Sequence, residues 1–459
     1  MKTLRVTVPT HYESHYRWIS KVVFEEFLGV DYVFATGEQD WTQIEICGRY
    51  LRMPLIFPSP EDVDWLTYES LPKCPLKYLD VESGVVPNET SQEPLPILFG
   101  EPKIADFAEG IYLSIDLWGT FFFMLSRYEE VVNRRRDAHD RFAAVDSVAF
   151  QAGFLERPIV DEYVEFLWCQ IRRMSPNLQR RQRVGRVFVT CDVDMPYDSA
   201  VRSTASLARR ISGDLIRTRS VRQPLARLRN WLASRRGDYS LDPYDTFDWY
   251  LDACERAGRQ AAFYFIAEMS VGNAFYDVGE PRMLELIKSI KQRGHEVGMH
   301  GSYYSYRSKE ALISERQRLH VACVNAGVET PLAGNRQHYL RWAVEETPDH
   351  LDDAGFEYDT TGSFADIPGF RYGTARTFTM WSWRRGASLA IKQRPLILME
   401  SSVIADRYMG LGYSPAALDK MQLLKKKSLA HGGDFVLLWH NSHLTTPEDR
   451  EFFSQLIGT

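Results

Sequence analysis

No two cysteines lie at a metal-binding or redox spacing: Cys47, Cys74, Cys169, Cys191, Cys254 and Cys323 are scattered singly. This excludes a CxxC motif and a short disulfide framework, and the thiols read as reduced and mostly core. No run approaches the roughly 18 consecutive apolar residues of a membrane span. The opening MKTLRVTVPTHYESHYRW lacks the apolar centre of a secretory signal, so a cytoplasmic location is expected. A surplus of one charge is missing too: 55 basic against 61 acidic residues, net −6, gives no general case for nucleic-acid binding. Internal repeats and low-complexity tracts are also absent. What remains is an ordinary globular composition, 44% hydrophobic, in 459 residues, enough for two domains or one large barrel with an appendage.

Residues 1–182 begin with short β-like runs (TLRVTV, DYVFAT, TQIEICG, PLIFP) and continue through a Pro-rich stretch into helical patterns. GIYLSIDLWGTFFFMLSRYEEVV is apolar with mixed period, its charged tail suggesting a helix that reaches the surface, and PIVDEYVEFLWCQIRRM reads as an amphipathic helix. The charges of RYEEVVNRRRDAHDRF read as a solvated face or interdomain salt bridges rather than a ligand site. SPNLQRRQR marks a linker, after which strand-like and helical runs alternate from RVFVTCDVD to DFVLLWHN. That alternation predicts parallel strands with outer helices over 183–459 and places the chemistry at the strands' C-terminal ends.

Residues 201–236 break the rhythm. They carry ten arginines against the single acid Asp214, with Leu, Ile and Trp interleaved at partly helical spacing. The readings are a solvated insertion or a basic amphipathic surface for anionic lipid or a phosphorylated carrier.

Ionisable residues gather at the strand ends. Asp192 and Asp194 in TCDVD share one face of a strand, and two carboxylates that close need a cation or a division of labour between metal binding and proton transfer. His300 ends HEVGMH, Arg336, His338 and Tyr339 lie in GNRQHYLRW, and His440 ends FVLLWH. Together they suit a metal hydrolase site.

Taken in order, VTCDVD, AAFYFIAE, IKSIKQRGHEVGMHGS, NRQHY, GFEYDTTGSF and LLWH resemble the motifs of the polysaccharide deacetylases of the NodB-homology, carbohydrate esterase 4 type, over roughly residues 184 to 445. The resemblance implies a distorted (β/α) barrel, preceded here by a smaller α/β domain, and a divalent metal, usually zinc, with Asp194 and His300 as ligands. It further implies Asp192 as general base, His440 as general acid, Arg336 orienting Asp192, the Tyr339 backbone N–H holding the oxyanion, and Leu437 lining the acyl pocket. Residues 1–182, with SRYEE and FLERPIVDEY, are similar to the domain that precedes some bacterial members.

The chain departs from the pattern twice. The family's second histidine, four residues after the first, is Tyr304 here, followed by Ser305, and the proline of the third motif is His338. The sources of a further metal ligand stay open: His338, Ser305 through a water, a two-residue site completed by waters, or a site without metal. His295 and His443 read as structural or rim residues. Tyr303 and its aromatic neighbours suit stacking on a sugar, though core packing explains most of them equally well, and Arg371, on a loop in GFRYGT, suits a carboxylate or phosphate of the substrate. The expected activity is deacetylation of an amino sugar in a bacterial surface polysaccharide or its precursor, lipid-linked substrate included. Deformylation, an inactive glycan-binding subunit and a membrane adaptor acting through 201–236 are the alternatives.

Overall fold

The computed structural model describes residues 3–58, 62–80, 93–218, 221–269, 274–329 and 331–458; the side chains of Arg217 and Arg219 lie outside the described residues. Among the described residues, eight strands form in the first part: β1 (Leu4–Pro9), β2 (Tyr32–Gly37), β3 (Trp41–Ile46), β4 (Arg49–Pro54), β5 (Lys77–Leu79), β6 (Leu95–Ile97), β7 (Gly100–Phe107) and β8 (Gly110–Ile115). Six make a mixed sheet in the order β2-β1-β3-β4-β8-β7, and β5 pairs with β6. Alternation builds it: Leu4, Val6 and Val8 point into the core while Arg5 is exposed. The PLIFP run falls past the strand, because β4 ends at Pro54.

GIYLSIDLWGTFFFML has mixed period because it is two elements, β8 and the helix Leu117–Leu125, which is buried on all sides. Asp116 joins them, its Oδ1 accepting from Gly119 N at 2.8 Å as the helix cap and its Oδ2 from Ile56 N and Phe57 N. The charged tail does not reach the surface. Arg127, Glu129 and Glu130 are buried because they find one another and Arg371.

The second part holds β9 (Val187–Val193), β10 (Ala261–Ile266), β11 (Glu296–Gly301), β12 (Gly334–Gln337), β13 (Tyr358–Asp359), β14 (Phe378–Ser382), β15 (Ala387–Gln393), β16 (Leu398–Met399) and β17 (Phe435–Leu438). They form one sheet, β14-β15-β13-β12-β11-β10-β9-β17-β16, parallel except for the antiparallel edge strand β14. No ladder between the edges closes this sheet among the described residues, so a hydrogen-bonded barrel is not what the pairings give. The sheet is nevertheless strongly curled. Arg394 N–H donates to Asp359 O beside β13, and Ile397 N–H, three residues on, donates to Val436 O of β17. Three residues span at most about 11 Å, whereas five strand spacings on a flat sheet would separate β13 from β17 by about 24 Å.

The curl gives the sheet an inside. Val187, Val189, Cys191 and Val193 pack outward with Phe263, Phe265, Val297 and Met299 in the core beneath the helices. Alternation then turns Thr190, Asp192, Tyr264 and His300 inward.

The two parts meet through buried charge. Arg371 donates to Glu130 from Nε (2.8 Å) and Nη2 (2.6 Å), and Arg127 Nε donates to the same carboxylate at 2.7 Å. Burial alone would raise the Glu130 pKa, but Arg371 and Arg127 hold it down at about 2. RYEE therefore forms buried salt bridges with a distant arginine rather than a solvated face. Glu130→Ala would leave the buried Arg371 guanidinium without its carboxylate and Arg127 with Glu129 alone, and a loss of about 3–5 kcal/mol is expected in urea unfolding. A loss below about 1 kcal/mol, the range of exposed pairs, would contradict this account. Of the cysteines, Cys191, Cys254 and Cys323 are buried, while Cys47 and Cys74 are exposed. Among the described residues no helix is long and apolar enough to cross a membrane.

Candidate active site

The inward residues converge at the C-terminal end of the curled sheet. Asp192 lies on β9 and Asp194 just past its end, His300 lies on β11, His338 opens the short turn after β12, and His440 follows β17. With Tyr339 they line one cavity of about 490 Å³.

Asp194 is its centre. Its Oδ1 lies 3.3 Å from His300 Nε2 and 3.6 Å from His338 Nε2, and its Oδ2 lies 3.6 Å from His440 Nε2. The side chain is partly exposed, but Oδ1 itself is buried and has no hydrogen bond of good geometry among the described residues. His300 Nδ1 is 2.9 Å from Arg336 O; a carbonyl only accepts, so Nδ1 carries a proton, and Nε2 is the ring atom turned to Asp194. Burial drives His338 down to about 4 against the pull of Asp194, which keeps its ring neutral. For His300 burial is outweighed by Asp192 and Asp194, so its pKa is raised. Asp194, despite burial, is held well below the usual carboxylate range by His338, His300 and His440.

Asp194, His300 and His338 form a group able to hold a metal ion. Bonds of about 2.0–2.1 Å in a tetrahedron place ligand atoms about 3.3 Å apart. The spacings of 3.3 and 3.6 Å from Asp194 Oδ1 match that edge. Tyr304 is exposed, and the Ser305 hydroxyl lies within hydrogen-bond distance of Ser302 O (3.0 Å) and Gln337 Oε1 (3.2 Å), outside the cavity lining.

Two ion pairs flank the group. Asp192 Oδ2 lies 3.6 Å from His300 Nε2, and its Oδ1 lies 3.4 Å from Arg336 Nη1. Arg336 is fully buried, donates from Nη2 to Thr190 Oγ1 (2.9 Å) and Thr360 Oγ1 (3.1 Å), and lies over the Tyr264 ring. Across the cavity Glu400 Oε1 accepts from His440 Nδ1 at 2.6 Å and from His443 Nδ1 at 2.7 Å. Those separations are too short for ligands sharing one ion and describe charge-assisted hydrogen bonds. Burial would lower His440, but Glu400, then Asp194 and Asp192, raise it to about 9.

A profile described as a family of unknown function (DUF7033) matches residues 4–176. No curated protein matches. Among solved structures, a protein from Mycobacterium smegmatis named for a proposed polysaccharide deacetylase activity is 19% identical, over 60% of this chain and 85% of that one, with a TM-score of 0.38. Puue allantoinase is 13% identical over 60% and 83%, with a TM-score of 0.36. The polysaccharide deacetylase Bc1974 from Bacillus cereus is 12% identical over 60% and 86%, with a TM-score of 0.27.

Three residues expected at the site stand elsewhere. Leu437 has the wrong parity: one strand position from Leu438 it points outward, into the core beneath the helices. Arg371 is spent on Glu130 and on Ser363 O (2.7 Å), which leaves it no free face for substrate. Tyr303 sits behind the wall, its hydroxyl 3.0 Å from His139 Nδ1 and its ring over Arg341.

Others line the cavity unannounced, among them Met399, Arg407 and Tyr408. Glu400 had a signal, since PLILMES carries an acid at the end of a strand-like run just as TCDVD does. Arg141 had none. It comes from the first part of the chain, is held by Asp137, and donates from Nη1 to Tyr339 O at 3.1 Å. Tyr339 and Leu340 both adopt left-handed backbone, φ +60° and +57°. Such non-glycine positions cost of order 1–3 kcal/mol each and persist only where the surroundings hold them. Arg141 and the stacked His139 ring, 4.7 Å from that of Tyr339, supply that hold next to His338.

Proposed function

We propose that this chain is a metal-dependent amidohydrolase that removes a small N-acyl group, most simply acetyl, from an amino sugar of a bacterial surface glycan or its precursor. The observation that carries the reading is one cavity containing an Asp–His–His group between an Asp–Arg pair and a His–Glu pair. In this reading the curled sheet is the distorted barrel that the motifs imply, and residues 1–182 are an accessory unit whose 137–141 loop braces the site.

Asp194, His300 and His338 would hold the ion, zinc by its donor set, which when bound supplies a Lewis acid for the acyl carbonyl and lowers the pKa of nearby water. Asp192, set by Arg336, takes the proton from the attacking water. His440, kept protonated by Glu400, gives a proton to the nitrogen as the C–N bond breaks, so carboxylate and amine leave together with the elements of water added. The turn at Tyr339 lines the same cavity and is the proposed source of a backbone N–H for the oxyanion.

The test is acyl release from N-acetylated and N-formylated amino-sugar oligomers by the purified chain, before and after chelation and with zinc restored. Loss on chelation and recovery with zinc are expected, and the preferred acyl group separates deacetylase from deformylase. Turnover that survives exhaustive chelation, with no metal by elemental analysis, would refute the reading.

A further inference from the structure

The segment following Asp194 folds as a helical hairpin: a short turn at Ser199–Arg202, then helices Thr204–Thr218 and Arg222–Ser234. Leu207, Pro224 and Asn230 are buried. The hairpin's single acid, Asp214, is taken by Arg227, which also reaches Asp198, four residues past Asp194. Asp198 follows Tyr197, whose ring packs edge-on, 5.3 Å away, against Phe275 in the cavity wall. The hairpin is thus rooted at the rim of the active-site cavity.

Its other face is turned to solvent although it is apolar. Val221, Leu225, Leu228 and Leu232, spaced i, i+4, i+7 and i+11, form one stripe and are 64, 50, 39 and 45% exposed. Leu215 and Ile216, near the end of the first helix, are also exposed. Arg222 and Arg229, seven residues apart, flank the stripe on the same helix. Arg209, Arg229 and Arg236 have no carboxylate within ion-pair distance among the described residues.

We propose that this hairpin is an interfacial anchor that seats the cavity rim on an anionic lipid bilayer. Leucines at helical spacing between arginines match the acyl–headgroup boundary, where the stripe leaves water and the guanidiniums meet lipid phosphate. A nucleic acid would satisfy the arginines and leave the stripe wet. A second copy would set ten arginines against ten. The binding is peripheral, and it would let a glycan borne on a lipid reach the cavity from the membrane plane. It needs no turnover, so vesicle binding and hydrolysis can fail separately.

The experiment is co-sedimentation of the full chain with vesicles of phosphatidylcholine alone and with a quarter phosphatidylglycerol, at low and high salt. Binding to the anionic vesicles should exceed neutral binding at least about tenfold and weaken with salt, and R209Q/R229Q/R236Q should lose at least about tenfold. V221S/L225S/L232S should also lose binding, with the circular-dichroism melt of each variant matched to wild type. If either variant melts early, quenching of tryptophan fluorescence by brominated acyl chains, present in the wild type and reduced in Trp231→Phe, provides the second readout. Absent binding to anionic vesicles at low salt, no quenching, wild-type binding by both variants, or tighter binding to RNA than to vesicles would each overturn the proposal.

Discussion

His338→Ala should lower zinc affinity by more than about 100-fold, beyond the roughly 10- to 100-fold that losing an outer partner of a metal ligand costs. The expectation follows from place and state together. His338 Nε2 is 3.6 Å from Asp194 Oδ1, and burial keeps the ring neutral, so its loss would leave Asp194 and His300 as the protein's only donors in the group. Activity should fall in parallel and return in part at high zinc. His338→Asp offers an oxygen that zinc accepts and should retain more metal than alanine. Tyr304→Phe and Ser305→Ala should leave metal content unchanged, since one side chain is exposed and the other is bonded to Ser302 and Gln337. Competition titration against a chelator with a zinc-sensitive dye reads all four variants. Wild-type affinity in His338→Ala, or a loss in Ser305→Ala, would move the third ligand elsewhere.

The site was legible where strand alternation decides. TCDVD and HEVGMH put Asp192, Asp194 and His300 on the inner face because the intervening residues are apolar and go to the helix layer. Leu437 shows the limit of a motif: LLWH places it three residues before His440, and a three-residue offset crosses to the other face of a strand. The fold was legible in its βα alternation, but β14 and β15 passed unread. β14 is buried throughout and shows no period, although β15 does alternate. No local pattern could reveal Arg141 at Tyr339, because loops about 200 residues apart meet only after both sheets form. The Glu130–Arg371 pair hid for the same reason, and so an arginine on a loop looked available for substrate.

Asp192→Asn and His440→Ala should each keep zinc and fold yet lose about two to four orders of magnitude in turnover, the range of general base and general acid catalysis. Asparagine retains an oxygen opposite Arg336 Nη1 but cannot take a proton, so what it removes is the base and not the packing. His440→Ala removes the proton donor, and its deficit should shrink for substrates whose amine leaves more readily, whereas that of Asp192→Asn should not. Glu400 acts on His440 from the side away from Asp194, through Nδ1. Glu400→Gln should therefore cost less than His440→Ala, and adding it to His440→Ala should cost little more, because both act on one proton transfer. Additive losses in the double variant would give Glu400 a separate role through His443, its other partner at 2.7 Å. Near-wild-type turnover in His440→Ala would instead remove the histidine from the reaction and leave the Glu400 pair a structural brace beneath the cavity wall.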